Sequence, residues 1–105
     1  MSDICLLLTT WPDEASARVA ARQWLTDGLV ACVNILPRMS SLYVWNGELN
    51  EGQEHQMLLK TTTRKAMALQ QAIVETHPYE CPEILQISVE DGLRAYLDWI
   101  KGTTE

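Results

Sequence analysis

The residues with the most chemistry to offer lie in one short stretch. His77 is followed by Pro78-Tyr79, and Glu80, Cys81 and Glu83 come close behind. An imidazole, a thiol and two carboxylates are all ligands for divalent metals, the first two suiting copper or zinc. The spacing matches no closed zinc site. A histidine at a helix end, favoured by the helix macrodipole beside a polar loop, accounts for the same residues without a metal. Both readings stay open, and the metal reading names His77, Cys81 and Glu83. The other histidine, His55, sits between Glu54 and Gln56 in an extended segment. Alternation sends it to the face opposite Glu54, an exposed or interface position. Lys60 and Arg64 lie at the start of a helical stretch and form a candidate anion-binding pair. The plainer expectation for Lys60 is an ion pair with a carboxylate.

Several chemistries find no support. There is no phosphate-cradling Gly-rich loop, no H-E-x-x-H and no G-x-S-x-G. The three cysteines, Cys5, Cys32 and Cys81, are odd in number and form no C-x-x-C, so a disulfide framework is unsupported. Cys5 and Cys32, flanked by aliphatics, read as inert core thiols, and Cys81 as the most reactive of the three. Eight Lys+Arg against fourteen Asp+Glu leave a net charge of −6, which suits neither nucleic acid nor an anionic membrane. Cations are the partners that such a surface does not repel. The N-terminus has no basic start and only a short apolar run, so no signal peptide is expected and the protein reads as cytoplasmic.

These residues need a scaffold, and 105 residues with 47% apolar composition suffice for one core. The chain reads as one domain over 1–105. Ile4 to Thr10 reads as a central strand. A helix follows from the Pro12-Asp13-Glu14 start to about Asp27, with Ala15, Val19 and Leu25 on one face, Trp24 near its edge, and Gly28 as its stop. Val30 to Leu36 is a second strand. Ser41 to Trp45 forms an extended arm turned by Asn46-Gly47, a type I′ hairpin that sets Val44 opposite Leu49 and Trp45 opposite Glu48. The return strand ends in 56–61. A second helix covers about Arg64 to Thr76, with Met67, Gln70 and Ile73-Val74 on one face. Ile84 to Val89 is the last strand, and a short terminal helix carries Leu93, Tyr96, Leu97 and Ile100.

This order is the α+β, ferredoxin-like split βαβ pattern (βαββαβ), with an extended hairpin and a short C-terminal helix. Right-handed crossovers put both main helices on one sheet face. Yet the first strand is apolar on both faces, with Cys5 and Leu7 on one and Leu6 and Leu8 on the other. A neighbouring subunit is the expected cover for the open face. Trp45, with Tyr43 beside it, has no local core to enter and reads as an interface anchor.

The chain resembles the CutA divalent-cation-tolerance family. The resemblance rests on Ala31-Cys32-Val33-Asn34-Ile35, Ser41 to Gly47, Leu59-Lys60-Thr61, His77-Pro78-Tyr79, Pro82-Glu83 and the closing Tyr96-Leu97-Asp98-Trp99, in order, over about the whole chain. It implies a ferredoxin-like subunit in a homotrimer akin to PII signalling proteins, a role in tolerance to divalent metals, copper binding in some members, and no established catalytic activity. The family's enterobacterial pattern has a Cys near the end of the first strand and a His-His pair before Pro-Tyr. Here those positions hold Thr9 and Thr76-His77, so copper or another divalent cation is expected to bind weakly. The alternative is a PII-like sensor taking a small anion or nucleotide in intersubunit clefts, with Lys60 and Arg64 as its support. An acyl-phosphate hydrolase ranks last, because Thr9 to Asp13 is acidic and rigid where a phosphate loop would lie.

Overall fold

A computed structural model describes residues 3–105. Strand β1 (Ile4–Trp11) sends Cys5, Leu7, Thr9 and Trp11 to one face, all of them buried. Its other face carries Leu6 and Leu8, which are only half-buried. Asp13 then caps helix α1 (Glu14–Thr26): its carboxylate accepts the Ser16 N–H at 2.8 Å and the Ser16 hydroxyl at 2.6 Å. Pro12 precedes the cap instead of opening the first turn. Gly28, at φ 72°, ends the helix in the left-handed region. There Leu29 N–H reaches the Trp24 carbonyl and Gly28 N–H that of Leu25, the paired bonds of a Schellman cap.

Strand β2 (Cys32–Ile35) is followed by β3 (Met39–Trp45) and the fifteen-residue β4 (Glu48–Thr62). Asn46 (φ 52°) and Gly47 (φ 77°) turn the hairpin, and the register sets Val44 opposite Leu49 and Trp45 opposite Glu48, as the turn type requires. Helix α2 (Thr63–Thr76), β5 (Leu85–Val89) and α3 (Arg94–Thr103) complete the chain. The antiparallel sheet runs β2-β4-β1-β5, with β3 paired to β4 beyond it. Strands β1 and β4 are therefore central, in a ferredoxin-like α+β arrangement.

Both long helices pack on the face of Cys5, Leu7, Met57 and Leu59, with Ile73 of the expected α2 face in the core but most of the other expected apolar residues left outside. Helix α1 buries Ala17, Ala20, Ala21 and Trp24, while Val19 is 71% exposed and Ala15 and Leu25 also face outward. Alanines let the helix axis approach the sheet. Trp24 fills the remaining space edge-on to Trp11, with ring centres 5.6 Å apart. Helix α2 likewise buries Ala66, Leu69 and Ile73 and leaves Met67 and Val74 outside. Helix α3 lies against the end of the opposite face, where Ile100 packs with Ile4 and Ala31.

The remainder of that face is open. The register aligns Leu58, Leu8 and Leu85 across three strands, with Lys60, Leu6 and Ile87 in the next row. Cys32 pairs with Lys60 on the same face and is half-buried, so it is not a core thiol like Cys5.

Candidate functional site

The open face changes character toward the end of β1. Beyond Leu58, alternation brings Gln56 and Glu54 to the same side of β4, next to Thr10. The loop after α2 closes over them. Helix α2 ends because Pro78 disfavours helix at His77, whose own N–H makes the last helical bond to Ile73.

The His77 side chain is only 8% exposed. Its Nε2 donates to the Thr10 carbonyl at 2.6 Å, and its Nδ1 accepts the Tyr79 N–H at 3.0 Å. A carbonyl can only accept and an amide N–H can only donate, so the ring is the neutral Nε2–H tautomer with both nitrogens engaged. It packs tilted against Trp11 and Tyr79, with ring centres at 4.2 Å and 4.8 Å.

Two further bonds fasten the loop to β4. The Tyr79 hydroxyl donates to Glu54 at 3.1 Å. Burial, then the bond to Glu54 and its negative charge, push this phenol up to about 12, so it remains a donor at neutral pH. Gln56 Nε2 donates both to the Thr9 carbonyl at 2.9 Å and to Glu83 at 2.8 Å. Between loop and arm lies a groove of about 690 Å³, walled by Tyr43, Trp45, Glu54, Gln56, Tyr79, Glu80, Cys81 and Glu83 among others.

The structure thus brings Cys81 and Glu83, from the metal candidates, and Tyr43 and Trp45, from the interface candidates, to one groove. His77 stands behind it, holding the loop. Among the described residues, no three His, Cys, Asp or Glu side chains gather closely enough to hold a metal ion. Nor do Thr9 and Thr76 supply a soft donor. Thr9 is fully buried on the helix-covered face, and the Thr76 hydroxyl donates to the Ala72 carbonyl at 2.9 Å. This donor set suits weak, carboxylate-led cation binding and not a closed copper site.

The basic candidates separate. Lys60 projects from the open face, away from α2, and its Nζ donates to the Tyr96 hydroxyl at 3.3 Å instead of pairing with a carboxylate. Arg64 is exposed on α2, on the other side of the sheet, so the expected anion-binding pair does not form. His55 is half-buried, and its Nδ1 donates to the Leu36 carbonyl at 3.0 Å. Sequence reading missed Glu54, Gln56 and Tyr79 as site residues. Alternation along β4 was the available signal, since it places Glu54 and Gln56 on the face of Leu58.

Comparison with known proteins adds a family to this geometry. The family described as "CutA1 divalent ion tolerance protein" matches residues 5–103. The divalent-cation tolerance protein CutA of Thermus thermophilus is 41% identical over 99 residues, covering 94% of this chain and 96% of that protein. Among solved structures, CutA from Xylella fastidiosa superposes with TM-score 0.95 at 36% identity, covering 99% of this chain and 100% of the other. The periplasmic divalent cation tolerance protein CutA from Archaeoglobus fulgidus gives TM-score 0.93 at 32% identity, with coverage of 97% and 99%.

Proposed function

The chain belongs to the CutA1 divalent ion tolerance family, and on that premise we propose that it serves divalent-cation tolerance as a homotrimer that binds cations weakly, by binding and not by catalysis. The observation that carries the reading is the groove, which combines Glu54, Glu80 and Glu83 with the Cys81 thiol and, among the described residues, has no Lys, Arg or His in its lining. Divalent copper, or another divalent cation, is the ligand, with Cys81 and Glu83 as accessible donors. His77 joins them only if Nδ1 gives up the Tyr79 amide, which keeps affinity modest.

Assembly is supported by the open sheet face and the arm. Leu85 and Ile87 are exposed beside the half-buried Leu6, Leu8 and Leu58, a contiguous apolar face of the kind that marks an interaction surface. Trp45 is 54% exposed at the arm tip, with Tyr43, Val44 and Leu49 also exposed. Three free thiols fit a reducing compartment such as the cytoplasm.

Copper titration of the wild type and of a Cys81→Ser/Glu83→Gln variant tests the binding reading. Copper tolerance of a host lacking its own homologue, with and without this chain, tests the role. Weaker copper binding in the variant and restored tolerance are expected. Equal binding in both proteins, or tolerance unaffected by the chain, refutes it.

A further inference from the structure

A second groove lies where α3 meets the open sheet face, at the other end of β4 from the arm tip. It encloses about 330 Å³ and is walled mainly by apolar side chains, among them Ile4, Leu6, Val89 and Leu97. Tyr96 lines it while remaining exposed. Lys60 lines it too, half-buried, with its Nζ on the Tyr96 hydroxyl and 5.6 Å from the centre of that ring. Among the described residues no carboxylate pairs with Lys60. Asp91 borders the same groove, but its carboxylate accepts the Gly92 N–H at 2.8 Å. An ammonium group set among apolar walls without a counter-charge is costly. The groove therefore suits an apolar group that brings a carboxylate with it.

The arm tip offers that combination. Trp45 is exposed there, and the register puts the exposed Glu48 directly opposite it, so ring and carboxylate project from one face of the hairpin. The tip cannot reach the groove of its own chain. Glu48 and Lys60 lie on the same strand, and at about 3.3 Å per residue they are about 40 Å apart. Within the homotrimer already proposed, we infer that the groove receives the arm tip of a second copy, with the Trp45 indole packed against Tyr96 and Leu97 and Glu48 paired with Lys60. Tip and groove are different surfaces, so the contact runs head to tail and satisfies every copy only when the copies close into a ring. Through Leu6 and Lys60 the groove is continuous with the open sheet face, so one assembly covers both.

Photochemical capture tests the docking directly. A photoreactive benzoylphenylalanine in place of Trp45 keeps a large aromatic group at the tip. After irradiation, a denaturing gel separates chains joined to one another, and mass spectrometry identifies the captured peptide. Joined chains are expected, with the cross-link in tryptic peptide 95–101, which carries Tyr96 and Leu97. Capture on any other peptide, or within a single chain, overturns the docking. Charge reversal tests the ion pair. Lys60→Glu and Glu48→Lys should each raise the dissociation constant of the assembly by about tenfold or more, since each sets like charges together. The Lys60→Glu/Glu48→Lys double variant should recover most of that loss, and one no better assembled than either single variant overturns the pairing. Circular dichroism confirms that the variants fold. Light scattering of the wild type separates the two levels of the argument. A monomer refutes the assembly itself, whereas an assembled wild type whose tip is captured elsewhere refutes only this docking.

Discussion

His77 and Thr10, far apart in sequence, meet at 2.6 Å through the imidazole Nε2 and the main-chain carbonyl. With Nδ1 held by Tyr79, the ring works as a clasp between the end of β1 and the loop that walls the groove. Replacing His77 by Ala is expected to lower stability by about 2–3 kcal/mol, from the lost packing against Trp11 and the two lost hydrogen bonds. Denaturant titration measures it. His77→Gln, which can restore one of the bonds, recovers part of the loss. A His77→Ala protein as stable as the wild type would show that the loop is held without the clasp.

Assembly is the second expectation. Ile87→Asp places a charge in the middle of the open apolar face, and Trp45→Ala removes the arm's largest exposed ring. Light scattering should give about three chain masses for the wild type at micromolar protein. Both variants shift toward monomer, since truncating a buried aromatic anchor costs on the order of 2–4 kcal/mol. Far-UV circular dichroism stays unchanged, because neither side chain supports the core of its own subunit.

The third concerns acid. The Ser16 hydroxyl, and then the Ser16 N–H, hold the Asp13 carboxyl below its ordinary value of 3.8. A group whose pKa is depressed on folding contributes its stability above the unfolded-state value and loses it as pH falls through the folded-state value. Asp13→Ala should therefore lower the Tm at neutral pH, and the gap to wild type should close below pH 3.8. A gap that persists undiminished in strong acid would mean that the cap acts without its charge.

The fourth concerns base. The Tyr79 phenol is pushed up to about 12 from an ordinary 10, so the folded state favours the neutral form. Its contribution is complete below pH 10 and is lost as pH rises through about 12. Ultraviolet titration should show one tyrosine ionising late, and Tyr79→Phe should remove that step. Glu54→Gln should bring it earlier, since it removes the negative charge beside the phenol. A Tyr79 that titrates with the others would mean that the loop stands away from β4.

The parts of the fold that were legible in the sequence rest on local rules. Asn46-Gly47 needs two positive φ angles, and that alone settles the pairing of Val44 with Leu49. Gly28 ends α1 for the same backbone reason. The helix faces were legible only at Ile73, because hydrophobicity ranks Val19 and Met67 above alanine, whereas close approach to the sheet selects Ala17, Ala21 and Ala66. The site was legible only in part. The segment holding His77, Cys81 and Glu83 stands out by composition, but nothing local to it reveals that His77 bonds to Thr10. Nor does it reveal that Glu54 meets Tyr79, since both contacts depend on the tertiary register of β1 and β4.

The length of β4 has a consequence for how the chain reaches this structure. One half of the strand pairs with β3 across a two-residue turn, while the other half pairs with β1 at distant positions, Ile4 with Thr62 and Leu8 with Leu58. Closing the hairpin costs little chain entropy and takes microseconds, whereas the β1–β4 and β1–β5 ladders must first close long loops. The arm is thus the earliest part of the sheet to order, and it carries half of the central strand with it. The other half, His55 to Thr62, gains its partner only when β1 closes those long loops, the kind of non-local pairing that slows folding.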